Sequence, residues 1–166
     1  GAKAIVCEPD LYPVAHEVIG ETAVEHVIVT GASPNAGVHS LEALVESQKG
    51  GTRGDIYQGH SLSPKEDLGL LCYTGGTTGT PKGAMLSHYN LVANTLQFKR
   101  WFDYEEGGEV FISALPLFHI GGIAGAMSVP IASGGTMVLF RRFHARGVLQ
   151  AIQQYRASRF LGVPTM

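Results

Sequence analysis

Short hydrophobic runs alternate with segments of helical period along this chain, which predicts an α/β fold: a mainly parallel sheet with helices on both faces. Three observations carry the prediction. Ala4-Ile5-Val6-Cys7, Val27-Ile28-Val29, Val110-Phe111-Ile112 and Thr136 to Phe140 are runs of strand length. Between them, apolar residues recur at three- and four-residue spacing, the signature of a one-sided helix. Turn signals such as Glu8-Pro9-Asp10, Thr30-Gly31 and Gly134-Gly135 separate the two kinds of segment.

Taken in order, residues 1–45 read as a first βαβ part. A short buried strand at Ala4–Cys7 leads to a helix whose Leu11, Val14, Ala15 and Val18 share a face, and Val27–Val29 is the second strand. Residues 46–67 read as a connection within a polar, glycine-rich stretch from Ser33 to Asp67, where only Leu41 to Val45 offers a helical turn. Long irregular connections inside compact domains are uncommon unless functional or linking. Residues 68–166 form the last part. Leu68, Leu70, Leu71 and Cys72 mark a buried strand, and Ser87 caps a helix through its side-chain oxygen. Leu91, Thr95, Phe98 and Phe102, with Val92 and Leu96 beside them, make one wide buried face. Asp103 to Gly108 breaks that helix and a strand begins at Val110. Ile120 to Ile131 reads as a short buried helix, Val148, Ile152 and Tyr155 as a further helix face, and Arg159 to Val163 as a strand. Arg141 and Arg142 read as a solvated strand end. Pro164-Thr165-Met166 follow that last strand directly, and a central strand leads onward, so the chain is expected to be a piece of a longer protein.

Composition narrows the function classes. With 166 residues, 45% of them hydrophobic and 16% charged, the chain has the material for a sizeable core. A net charge of −2 gives no electrostatic footprint for nucleic acid. Cys7 and Cys72 have no metal-type spacing and no secretion signal is present, so the expected setting is the cytoplasm, with peripheral membrane contact as a variant. Val110 to Phe140 lacks Lys, Arg, Asp and Glu, but Pro116, His119, Pro130, Ser133 and Gly134-Gly135 interrupt the run. A spanning helix needs about 20 consecutive apolar residues. Strand, turn, short helix, turn and strand fit the breaks better, and no integral membrane segment is expected.

The chemistry concentrates in Tyr73-Thr74-Gly75-Gly76-Thr77-Thr78-Gly79-Thr80-Pro81-Lys82-Gly83. A strand feeding a glycine-rich turn places several backbone N–H groups around one concave point, because glycine permits positive φ and close approach. Thr74, Thr77, Thr78 and Thr80 add hydroxyl donors and Lys82 a compact charge. A polyphosphate, whose oxygens only accept, matches this set. A lysine about 4 Å from a phosphate gains about 4 kcal/mol at an effective dielectric of about 20, before desolvation. The Walker pattern requires Gly-Lys followed by Ser or Thr, whereas Lys82 lies between Pro81 and Gly83. There is no GxGxxG fingerprint. The plain alternative is a surface turn or hairpin, where Gly and Thr are common.

The order of these residues resembles the phosphate-binding signature of the adenylate-forming (AMP-binding) superfamily, which includes acyl-CoA synthetases, luciferases and peptide-synthetase adenylation domains. The family pattern is Tyr-Thr-Ser-Gly-Thr-Thr-Gly-x-Pro-Lys-Gly, and Gly75 alone departs from it, replacing Ser. Met85-Leu86-Ser87-His88-Tyr89-Asn90-Leu91, Leu115-Pro116-Leu117-Phe118-His119 and Gly162-Val163-Pro164-Thr165 continue the resemblance in register. It implies part of the larger N-terminal domain of an acyl-CoA synthetase-like enzyme.

The resemblance also implies roles. Thr74, Gly75, Gly76, Thr77, Thr78, Gly79, Thr80, Pro81 and Lys82 would hold the β- and γ-phosphates of ATP, with the Thr74 hydroxyl helping to hold Mg²⁺. Gly75 keeps its N–H but loses a hydroxyl, worth about 1 kcal/mol for a neutral hydrogen bond. His119 would lie near the carboxylate and the α-phosphate, with Phe118, Ile120 and Met127 as candidates to line an acyl tunnel. The plain alternatives are a core histidine and ordinary apolar core. The implied reaction joins a carboxylic acid, a fatty acid above all, to coenzyme A through an acyl-adenylate. The family's Tyr-Gly-x-Thr-Glu block and its adenylation Lys do not occur in this sequence. Residues 1–166 alone are therefore expected to be inactive and to need the remainder of their own chain. A nucleotide- or anion-binding module without chemistry, and a purely structural fragment, are the alternatives.

Overall fold

β1 (Ala4–Cys7), β2 (His26–Val29) and β3 (Val38–Ser40) pair in parallel in the order β1-β2-β3. The computed structural model describes residues 1–32, 35–49, 61–74, 79 and 81–166. The chain divides into two units, Gly1–His60 and Ser61–Met166.

In the first unit a 3₁₀ turn at Pro9–Leu11 opens α1 (Tyr12–Ile19), so β1, α1 and β2 form the expected βαβ part. Lys3 pairs with Glu25 beside this sheet. β1 is less buried than expected: Ile5 and Cys7 are half-buried, but Val6 is 58% exposed. The polar stretch after residue 33 is also more regular than expected. Val38–Ser40 forms β3, and Ser40 accepts the Ala43 N–H to cap α2 (Leu41–Ser47). Much of the expected connection, residues 50–60, lies outside the described residues.

In the second unit the mainly parallel pattern has one antiparallel exception. β4 (Leu68–Thr74) and β5 (Lys82–Ser87) form an antiparallel hairpin, with an irregularity between Leu68 and Leu70. β5 carries Gly83 and Ala84 and turns Met85 to solvent, so it lacks the inward apolar alternation that marks a strand in sequence. α3 (His88–Trp101) follows at once, held by the Ser87 capping box: Ser87 Oγ accepts the Asn90 N–H and Asn90 Oδ1 accepts the Ser87 N–H. Its buried face is narrower than the periodicity predicts. Thr95 is buried and Leu91 and Phe98 half-buried, while Val92, Leu96 and Phe102 are exposed.

β6 (Val110–Ser113), β7 (Thr136–Leu139) and β8 (Arg159–Phe160) form a parallel sheet in the order β7-β6-β8. The period-two alternation of a strand distributes β6 between two layers. Ile112 and the following Ala114 form a buried cluster with Val148 and Ala151 of α5 (Ala145–Tyr155). On the other side, the Ser113 hydroxyl donates to the Ala126 carbonyl at 2.7 Å. Helices thus cover both faces of this sheet. The expected Ile120–Ile131 helix is a π-helical stretch, Gly122–Ser128, running into α4 (Val129–Ala132). β8 is shorter than expected, ending at Phe160. Val148 is buried, while Tyr155 is half exposed. Among the described residues no helix is long and apolar enough to cross a membrane.

Candidate functional site

The hairpin forms the first part of the site. Thr74 and Lys82 are its last cross-strand pair, and the Thr74 hydroxyl donates to the Lys82 carbonyl at 3.2 Å. This pair closes the neck of the glycine- and threonine-rich loop. Gly75, Gly76, Thr77, Thr78 and Thr80 lie outside the described residues; Thr74, Gly79, Pro81 and Lys82 lie within them. Gly79 has φ +87°, in the left-handed region where a Cβ is penalised. Thr74 and Lys82 are both exposed.

The two placed groups have the polarity that a polyphosphate and its cation would require. Thr74 gives its one hydroxyl proton to a carbonyl, so the oxygen's lone pairs stay available to a hard cation such as Mg²⁺, which takes oxygen ligands. The Lys82 ammonium supplies three donors and no acceptor, the right polarity for phosphate oxygens. These two residues come from facing strands, so their spacing is set by the ladder.

His119 belongs to a second place in the same unit. β6 ends at Ser113, and the chain turns at Pro116, whose carbonyl accepts the His119 N–H at 3.2 Å. The His119 carbonyl then accepts the Ile123 N–H at 2.9 Å, opening the helical segment. This turn requires glycine at 122, because a Cβ there would lie 2.0 Å from the Pro116 carbonyl oxygen. Within residues 1–166 His119 is exposed, with its ring centroid 4.9 Å from that of Phe118. β8 runs parallel to β6, so residues 162–165 leave the sheet at the same edge as the His119 turn. Open α/β sheets gather their ligands outside the carboxyl ends of their strands.

Beside this turn lies a groove of about 420 Å³ between α3 and the helical segment, lined by Leu86, Leu91, Thr95, Ile120, Ile123 and Ala124 among others. Ile120 therefore does face a cavity. Phe118 is 79% exposed and Met127 half-buried, and neither contributes to this groove's lining. Cys7 and Cys72 are free thiols, and among the described residues no cluster of His, Cys, Asp or Glu is placed to hold a metal. Arg141 and Arg142 are exposed.

Sequence reasoning missed one cluster entirely. Glu109, only 5% exposed, accepts from Arg159 Nε at 2.9 Å and Nη2 at 2.6 Å, and also from the Ser158 hydroxyl and the Glu105 N–H. The Arg159 hydrogen bonds hold its carboxyl down at about 2, against the opposing effect of burial. The Arg159 guanidinium also lies 4.9 Å from the centre of the Tyr104 ring, and burial raises the Tyr104 phenol. Fifty residues separate the acid from the base, so no local pattern announces the pair. The available signal is an acid just before one strand and a base opening another.

The whole chain, residues 1–166, matches the family of AMP-binding enzymes. Over 132 residues it is 33% identical to the long-chain-fatty-acid–CoA ligase of Bacillus subtilis, a match covering 79% of this chain and 23% of that protein. The crystal structure of a long-chain-fatty-acid-CoA ligase from Archaeoglobus fulgidus superposes with a TM-score of 0.78 at 29% identity, covering 95% of this chain and 29% of that one. ATP-bound MatB from Rhodopseudomonas palustris superposes with a TM-score of 0.77 at 28% identity, covering 98% and 30%. The chain spans less than a third of the length of each of these proteins.

Proposed function

This chain belongs to the family of AMP-binding enzymes, and from that premise we propose that it carries the phosphate-holding loop and one wall of the acyl pocket of an ATP-dependent acid–CoA ligase, acting on fatty acids in the cytoplasm. The observation that carries the reading is the Thr74–Lys82 neck: a hydroxyl with free lone pairs and an exposed ammonium, paired across two strands beneath a loop with glycine in the left-handed region.

In this reading a carboxylate oxygen of the acid attacks the α-phosphorus of ATP, and the bond to the β-phosphate bridging oxygen breaks to release pyrophosphate. The thiol sulfur of coenzyme A then attacks the acyl carbonyl, loses its proton, and AMP leaves. The loop from Thr74 to Lys82 holds the β- and γ-phosphates, so charge building on the leaving pyrophosphate meets fixed donors. Thr74 would help to hold Mg²⁺, which would supply charge neutralisation on the phosphates. His119, exposed in the turn that follows β6, orients the carboxylate, and the apolar groove beside Ile120 takes the start of the acyl chain. The fatty-acid assignment rests on the two ligases named for long-chain fatty acids among the similar proteins. Residues 1–166 alone would carry only part of this machinery.

The test is acid-dependent ATP–pyrophosphate exchange by the whole protein, run with long-chain, short-chain and aryl acids. Exchange driven best by long-chain acids is expected. Exchange driven only by aryl acids removes the fatty-acid assignment, and nucleotide binding without exchange for any acid leaves a binding module and removes the ligase reading.

A further inference from the structure

Resting on that reading, we propose that Glu109 and Arg159 are positioning residues: their pairing sets the register of β8 on β6 and so holds residues 162–165 level with the His119 turn, at the acyl end of the site. β8 pairs through only two residues, Arg159 with Phe111 and Phe160 with Ile112. So short a ladder specifies its register weakly, yet a slip of one residue moves the strand by about 3.3 Å and turns every side chain to the other face. The side chains supply what the ladder lacks.

Glu109 immediately precedes β6 and Arg159 opens β8, so the pair sits at the amino ends of two neighbouring strands. The buried carboxylate takes both guanidinium donors, a planar fork that tolerates little displacement. Ser158 locks the same point from the backbone side. Its N–H donates to the Val110 carbonyl at 3.0 Å, while its side-chain oxygen accepts the Val110 N–H at 3.1 Å and the hydroxyl donates to Glu109. Tyr104 closes the far side, with the Arg159 guanidinium over its ring and the Phe111 ring in a T-shaped arrangement at 5.3 Å between centroids. A slipped β8 would strand the Glu109 charge in a buried position with no fork to meet it. Breaking a buried pair by removing one partner is among the costlier single changes in a protein. Fixing the amino ends fixes the carboxyl ends: Ala114 to His119 follow β6, and Leu161 to Thr165 follow β8. Leu161 and Phe160 wall a cavity of about 280 Å³ with Gly125 and Ala126 of the π-helical segment, so a displaced β8 would also disturb the segment that His119 opens.

The experiment compares wild type, Glu109→Gln and the milder Arg159→Lys in the whole protein, using hydrogen exchange and steady-state kinetics. Amides of residues 160–163 should exchange about tenfold faster in both variants while hairpin amides 70–74 stay within about twofold, because only the local opening is made easier. The KM for the acid should rise about tenfold and the KM for ATP stay within about twofold, since the phosphate loop lies on another element. Exchange that quickens equally at both places, or an unmoved KM for the acid in folded variants, overturns the proposal. If exchange responds locally but wild type activates no acid, the register role stands and the ligase reading falls.

Discussion

The Thr74 hydroxyl donates its proton to the Lys82 carbonyl, 3.2 Å away across the last pair of the hairpin. The bond spends the threonine's one hydroxyl proton, leaving its oxygen to act as an acceptor, and ties the side chain to the lysine backbone. Thr74→Val keeps the β-branched shape and removes both effects, while Thr74→Ser keeps both. We expect Thr74→Val to weaken MgATP binding about fivefold, from roughly 1 kcal/mol per neutral hydrogen bond, and Thr74→Ser to stay near wild type. Titrating with and without Mg²⁺ checks the role: the valine penalty should shrink when Mg²⁺ is withheld.

Glu109 gives stability a predictable dependence on acid. Its carboxyl is lowered in the folded protein from 4.5 to about 2, chiefly by the Arg159 hydrogen bonds. An unfolded chain therefore binds this proton first, so the contribution is complete above about 4.5 and is lost as pH falls towards about 2. Urea unfolding across that range should show wild type losing stability faster than Glu109→Gln. Parallel slopes for the two proteins would remove Glu109 as the cause.

Gly122 and Gly121 make a matched pair of tests in one turn of chain. A Cβ at Gly122 would lie 2.0 Å from the Pro116 carbonyl oxygen, and backbone cannot swing aside as a side chain does. Gly122→Ala should cost about 1–3 kcal/mol by overpacking. A Cβ at Gly121 meets nothing within 4 Å, and its φ of −63° is helical. Gly121→Ala should therefore be neutral or stabilising by up to about 1 kcal/mol. Denaturant midpoints of the two variants decide it.

Ser87 caps α3 in a reciprocal pair with Asn90, so Ser87→Ala removes the acceptor of the Asn90 N–H at the helix entrance, while the backbone N–H of residue 87 keeps Asn90 Oδ1. The expected loss is about 1 kcal/mol, and Ser87→Thr should recover most of it. Thermal unfolding monitored by circular dichroism distinguishes the two outcomes.

These residues differ in how openly the sequence displays them. Ser87 was legible because capping is local: an oxygen precedes a periodic run, and the structure forms the cap. Val148 was legible for a similar reason, its spacing to Ile152 marking the face that meets Ile112 and Ala114. Family membership was legible in the composition and order of residues 73–83, since residues 1–166 match the AMP-binding enzymes. The strand inside the same motif, β5, was not, because Gly83, Ala84 and the outward Met85 show no inward alternation. The π-helical form of Gly122–Ser128 was hidden too, since apolar and small residues serve equally in an α-helix. Glu109 and Arg159 were invisible because their meeting depends on β8 crossing back beside β6, a decision made by topology.

The central claim is that the neck between Thr74 and Lys82 holds the phosphates of ATP, and calorimetric titration of MgATP into the whole protein and its Lys82→Ala variant tests it most directly. Lys82 is exposed, so its loss should leave the fold intact while removing a charge-assisted contact worth about 1.5–3 kcal/mol. A Kd at least about tenfold weaker is expected in the variant, with unfolding temperatures that coincide. An unchanged Kd in a folded Lys82→Ala protein would contradict it.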